Sequence, residues 1–63
     1  MPPFSIFKIR DDGSLHFVEK AQSLDDTRAR LRELAKSWPG EYVIDNEETG
    51  ERVFIRAKDE RKN

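Results

Sequence analysis

The sequence predicts an α+β domain with the element order ββαββ, in which one helix packs on one face of an antiparallel four-stranded sheet. Three observations predict this fold: a turn sequence at Asp12-Gly13, one capped amphipathic segment after Ser23, and a second turn sequence around Gly50. Two hairpins therefore flank a single helix. With 63 residues the chain holds one domain, which we place at residues 1–57.

The composition is compatible with a folded core despite its high charge. Hydrophobic residues make up 35% of the chain and charged residues 40%, but twelve basic and thirteen acidic residues nearly cancel to a net charge of −1. Disorder is favoured by high net charge, so the periodic patterning decides for a folded domain. Residues 58–63 have no apolar side chain to bury, and we expect a charged, disordered C-terminal tail there.

The first hairpin is predicted to join residues 4–10 to residues 15–20. Both runs are rich in aromatic and β-branched residues, and Gly13 between them readily adopts the positive φ of a tight turn. The second hairpin is predicted to join residues 42–44 to residues 52–56, with Gly50 at the left-handed position of a bulged loop.

The helix is predicted to begin after Ser23 and to end near Ser37. The Ser23 hydroxyl can accept a hydrogen bond from a free backbone N–H of the first turn, where Asp26 suits the helix dipole. Pro39 disfavours helical geometry at Trp38, so the helix stops there.

Strand alternation and helical spacing together predict the core. Each strand contributes a pair of apolar residues spaced by two, and the helix contributes one apolar arc. The predicted core is Phe7, Ile9, Leu15, Phe17, Leu24, Leu31, Leu34, Trp38, Tyr42, Ile44, Val53 and Ile55. The first strand is apolar on both faces, so a swapped orientation with Phe4 and Ile6 facing inward stays open.

The sheet face away from the helix is the candidate interaction site. One helix covers only one side of a four-stranded sheet, and the side chains assigned to the other face are more apolar than a solvent face requires. A protein partner or a homodimer would bury them. The candidate residues are Ile6, Lys8, His16, Val18, Val43, Arg52, Phe54 and Arg56.

Single-stranded nucleic acid is the alternative partner. Phe54 lies between Arg52 and Arg56 on one strand face, where an aromatic ring can stack on a base while cations contact phosphates. The net charge of −1 argues against it, because cationic contacts supply most of such affinity. We therefore expect a protein partner rather than nucleic acid.

No pattern for catalysis, a metal or a cofactor is present in the sequence. There is no cysteine, His16 is the single histidine, and the glycines are dispersed one to each connection. The acidic loop from Asp45 imitates the start of a calcium loop, but its twelfth position is Arg56. The basic strip Arg28, Arg32 and Lys36 runs beside Asp25, a mixture typical of a solvated helix edge. We expect a non-enzymatic protein without a small-molecule ligand.

Two stretches resemble a known group of proteins. Trp38-Pro39-Gly40-Glu41-Tyr42-Val43-Ile44 and Thr49-Gly50-Glu51-Arg52, with Gly13-Ser14-Leu15-His16, resemble small bacterial hypothetical proteins of similar length and unknown function. The resemblance implies the same fold and carries over no functional residue. Met1-Pro2-Pro3 leads straight into a strand without a signal sequence or membrane segment, so we expect a cytoplasmic protein with no membrane partner.

Overall fold

The structure is a computed structural model that describes residues 2–58. It contains strands β1 (Phe4–Ile9) and β2 (Leu15–Ala21), helix α1 (Leu24–Ser37), and strands β3 (Gly40–Asn46) and β4 (Glu51–Ala57). The strands form one antiparallel sheet in the order β2-β1-β3-β4. The predicted ββαββ architecture is confirmed. The predicted tail at residues 58–63 lies outside the described residues except for Lys58.

Both hairpins and the helix boundaries follow from the local signals. Gly13 and Gly50 have φ values of +87° and +79°, as the two turns require. The Ser23 hydroxyl accepts a hydrogen bond from the backbone N–H of Asp26 at 3.1 Å, and α1 ends at Ser37 before Pro39. These predictions are confirmed.

The core lies between α1 and one face of the sheet, which we call the covered face. Its centre is formed by Ile6 and Tyr42, both 0% exposed, with Ile44 beside them. Leu31 and Leu34 of α1 pack onto these side chains. Tyr42 also donates its hydroxyl hydrogen to the carbonyl oxygen of Trp38, which ties β3 to the end of the helix.

The orientation assigned to the first hairpin is wrong, and the swapped orientation is the observed one. Ile6 belongs to the core and Val18 packs against it, whereas Phe7 pairs with Phe17 on the other face of the sheet. Hydrophobic alternation could not choose between faces because β1 is apolar on both. The pairing of Ile6 with Ile44 across β1 and β3 decides the orientation.

A β-bulge in β2 further defeats simple alternation. The pairing between β1 and β2 shifts between Ile6 and Phe7, and Val18 is the extra residue on β2. Even-numbered residues of β2 face α1 before the bulge and odd-numbered residues face it after the bulge. His16 and Ala21 therefore both lie on the covered face. Other predicted core residues are largely exposed: Leu24, Trp38 and Val53.

Candidate interaction face

An apolar row crosses the sheet face opposite α1, which we call the open face. The strand register places Phe17 next to Phe7, Phe7 next to Val43, and Val43 next to Phe54. One side chain from each of the four strands therefore forms a continuous line, the aromatic row. The rings of Phe7 and Phe17 meet edge to face, with centroids 5.7 Å apart.

Exposure along the aromatic row rises toward the two edges of the sheet. Phe17 on β2 is 49% exposed and Phe54 on β4 is 71% exposed, whereas Val43 in the middle is 2% exposed. Val43 is shielded because it is the smallest member and lies between two phenylalanines. The edge rings thus present apolar area to solvent, which is a common property of interaction sites.

A polar row runs parallel to the aromatic row on one side. It consists of Lys20, Ser5, Asp45 and Arg52, which are neighbours in the register of the four strands. Glu47 lies across it, because its carboxylate accepts hydrogen bonds from the Ser5 hydroxyl and from Lys20 Nζ at 3.3 Å. The Ser5 hydrogen bond, followed by the Lys20 contact, lowers the pKa of Glu47 below its ordinary value of 4.5.

The other side of the aromatic row combines apolar and charged residues. Leu15 pairs with Ile9, and Arg56 Nη2 donates a hydrogen bond to Glu41 Oε2 at 3.0 Å. Ile9, Glu41 and Phe54 line a shallow depression of about 140 Å³. The open face is therefore an apolar line with cations and carboxylates on both sides.

Half of the predicted site residues lie on this face. Val43, Arg52, Phe54 and Arg56 are there, as alternation along β3 and β4 indicates. The assignment of the other four to the open face is wrong, because the reversed orientation of the first hairpin turns them toward α1. These four residues are Ile6, Lys8, His16 and Val18.

Lys8 is buried against aromatic side chains on the covered side of the sheet. Its side chain is 8% exposed, and its Nζ lies 5.5 Å from the Trp38 ring centre and 5.8 Å from that of Tyr42. The ammonium group also donates to the carbonyl oxygen of Ile9 at 2.9 Å. His16 contacts the same Trp38 ring edge to face. Lys8 is thus held by aromatic faces within the fold and is not presented on the open face.

The sequence reasoning missed Phe7 and Phe17 as members of the interaction face. Strand alternation predicts both in the core, because each belongs to a pair of apolar residues spaced by two, Phe7 with Ile9 and Phe17 with Leu15. The hairpin itself carries the missing signal, since pairing outward from the Asp12-Gly13 turn brings Phe7 opposite Phe17 whichever face they occupy. Whether α1 covers that face depends on the pairing of β1 with β3, which the hairpin alone does not determine.

Among residues 2–58, no group of three or more histidine, cysteine or acidic side chains is arranged to hold a metal ion. No helix in this range is long and apolar enough to cross a membrane.

Comparison of the chain with protein-family models, with curated proteins and with solved structures found no match. The resemblance to small bacterial proteins therefore stays a prediction. The function has to be argued from the open face itself.

Proposed function

We propose that the protein is a small, non-enzymatic protein-interaction module whose open face pairs with a second copy of the chain. The observation that supports this proposal is the aromatic row, with Phe17 at 49% and Phe54 at 71% exposure on the two edge strands. Stacking a second sheet on this row would remove both rings from water. A 63-residue chain has a small core, so burial between copies also adds to its stability.

The order of the strands favours one arrangement of the two copies. A twofold axis parallel to the strands lays β2 of one copy over β4 of the other, and β1 over β3. Phe17 then faces the partner copy's Phe54, and Phe7 faces its Val43, so every member of the aromatic row meets an apolar side chain. The Glu47–Lys20 pair comes to lie over Arg52, where the carboxylate can approach two cations.

A twofold axis perpendicular to the strands is less favourable. That arrangement keeps each strand over its own copy but exchanges the two charged borders of the aromatic row. Asp45 then faces Glu41, and Arg52 faces Arg56, so like charges meet on two strands. The parallel axis also brings two cations together, Lys20 of one copy and Arg52 of the other, but the Glu47 carboxylate beside Lys20 offsets their repulsion, so electrostatics favours that axis.

The size of the face sets the expected affinity. Three strand spacings of about 4.8 Å and six residues at about 3.3 Å give a footprint on the order of 15 by 20 Å. Such a footprint, roughly 300 Å² per copy, is smaller than that of stable specific interfaces and belongs to weak, transient association. We therefore expect a reversible dimer that dissociates in the micromolar range.

The first test compares two lysine substitutions on adjacent positions of β4. Phe54→Lys places a charge in the aromatic row, whereas Val53→Lys places it on the covered-face side at a residue that is 52% exposed. Sedimentation equilibrium should show a concentration-dependent dimer for the parent chain and for Val53→Lys, and a monomer for Phe54→Lys. A parent chain that stays monomeric at millimolar concentration refutes the proposed homodimer.

A charge exchange tests the orientation of the axis. Phe17→Glu alone and Phe54→Lys alone should each abolish the dimer, and the double variant should restore it through Glu–Lys contacts between copies. The two positions lie on opposite edges of one sheet, so they cannot form this pair within one chain. Rescue instead by mixing Phe54→Lys with Phe54→Glu would indicate the perpendicular axis.

Binding of single-stranded nucleic acid to the same face is the second candidate. It is favoured by the phenylalanines beside Arg52 and Arg56, because rings and cations serve bases and phosphates. The pairing of Arg56 with Glu41 and of Lys20 with Glu47 weighs against it. A mixed-sequence oligonucleotide titration at low salt should leave the amide spectrum unchanged. Salt-sensitive shifts that are lost in Phe54→Ala with Arg52→Ala would favour nucleic acid instead.

A further inference from the structure

A basic groove lies between α1 and β4, away from the aromatic row. It has a volume of about 630 Å³ and an apolar floor made of Leu31, Ala35, Ile55 and Ala57. Its rim carries five cationic residues: Arg28, Arg32, Lys36, Arg56 and Lys58. The tertiary structure thus joins the basic strip of the helix to two cations of the second hairpin, which the sequence alone did not connect.

Basic residues outnumber acidic ones among the described residues that line the groove. The chain as a whole has a net charge of −1, yet among residues 2–58 Glu33 is the one acidic residue that lines the groove. Glu33 contacts Lys36 at 3.7 Å, and Arg56 contacts Glu41. Within residues 2–58, Arg28, Arg32 and Lys58 take part in no salt bridge. Counting the described residues alone, these side chains give the groove a net positive charge.

The groove also reaches the free edge of the sheet. β4 is an outer strand, so its outward backbone groups have no neighbouring strand in the sheet. Residues 55–58 line the groove without interruption, although alternate side chains of a strand point to opposite faces. Consecutive lining residues mean that the groove follows the strand edge itself, where an added strand can form backbone hydrogen bonds.

We propose that this groove binds an extended acidic peptide segment with apolar side chains at alternate positions. The peptide adds to the edge of β4, its apolar side chains contact the floor at Ile55 and Ala57, and its carboxylates face Arg28 and Arg32. Nucleic acid fits less well, because none of the described residues that line the groove is aromatic and could stack on a base. The site goes beyond the proposed dimer: the floor of the groove lies on the covered-face side of β4, the dimer uses the open face, and Arg56 borders both.

Fluorescence polarisation with a defined probe tests the proposal. The probe is an eight-residue peptide of alternating glutamate and valine, and the matching lysine and valine peptide is the control probe. At low salt the acidic peptide should bind and the basic one should not. Arg28→Glu with Arg32→Glu should weaken binding about tenfold or more, because two exposed charge contacts are reversed.

A matched double variant distinguishes binding in the groove from an effect of net charge alone. Arg10→Glu with Arg30→Glu changes the net charge by the same amount, on exposed residues that do not line the groove. This variant should bind the acidic peptide within about twofold of the parent chain. Equal weakening by both double variants would mean that only net charge matters and would overturn the proposal.

The place of binding gives a second readout. Backbone amides of β4 should show new protection from hydrogen exchange with the peptide present, and those of β2 should not. Phe54→Lys should leave peptide binding unchanged even where it abolishes the dimer, so the two proposals fail separately. No binding of the acidic peptide at millimolar concentration, or tighter groove binding of oligothymidylate than of the peptide, would overturn the inference.

Discussion

The two faces of the sheet use their apolar residues in opposite ways. On the covered face, Ile6 and Tyr42 are 0% exposed beneath a single 14-residue helix. On the open face, Phe17 and Phe54 leave much of their rings in water, and three of the chain's four phenylalanines lie there. The comparison teaches that one short helix covers a core centred on Ile6 and Tyr42, whereas three of the four phenylalanines are left on the face that no helix covers.

Truncation in the centre of the covered face should have the largest effect. Ile6→Ala removes a fully buried side chain that packs under α1, and we expect a loss of about 2–5 kcal/mol in the free energy of unfolding. Urea denaturation of dilute protein measures this loss. Phe7→Ala is the matched variant, since it is the next residue of β1 on the open face. A larger loss for Phe7→Ala in dilute protein would contradict the assignment of the faces.

Truncation on the open face should be milder and should depend on protein concentration. Phe17→Ala removes the edge-to-face contact with Phe7, which is worth about 1 kcal/mol in dilute protein. At high concentration the loss should grow, because the parent chain is stabilised by association and the variant is not. Unfolding curves at two concentrations measure the difference. A loss that is identical at both would count against the dimer.

The polar row should make stability depend on acidity. Glu47 has a lowered pKa in the folded state, so its ionised form stabilises the fold above its ordinary pKa of 4.5. That contribution is lost as the pH falls below 4.5 through the folded-state value. Glu47→Gln should therefore lower stability at pH 7 and flatten its fall between pH 5 and the acid limit. Glu48→Gln is the control, since its side chain makes no hydrogen bond within residues 2–58. Equal pH profiles for both variants would contradict the Ser5 and Lys20 contacts.

The charged border of the open face should contribute least to folding. Arg56 and Glu41 form an exposed pair, and such pairs stabilise by less than about 1 kcal/mol. Glu41→Gln should thus change the free energy of unfolding of dilute protein by less than about 0.5 kcal/mol. Thermal unfolding measures it at low and high salt. A loss above that of Phe17→Ala would mean that charge, rather than apolar contact, dominates this face.

The sequence was sufficient for the fold class and the ββαββ element order because the decisive signals are local. The cap at Ser23, the stop before Pro39 and the glycines of the two turns each act within a few residues, and all are confirmed. The faces predicted for the second hairpin are also correct, with Tyr42 and Ile44 in the core and Val43 and Phe54 on the open face. Half of the candidate interaction face followed from this hairpin.

The other half could not be predicted, for two physical reasons. β1 is apolar on both faces, so its alternation leaves the choice of face open. The bulge at Val18 then changes parity within β2, and a bulge has no signature in a period of two. The first ambiguity leads to the wrong prediction that Phe7 and Phe17 lie in the core, and the second hides the change of face beyond Val18.

By itself, the sequence determined the number, type and order of the elements and the position of each turn, because turn and cap chemistry is encoded by neighbouring residues. Only the tertiary structure decided which face of the first hairpin is covered and which cations surround the groove beside β4. Those outcomes depend on the pairing of β1 with β3 and on the placement of α1 against the edge strand. Contacts between residues far apart in the chain select among arrangements that local preferences leave nearly equal.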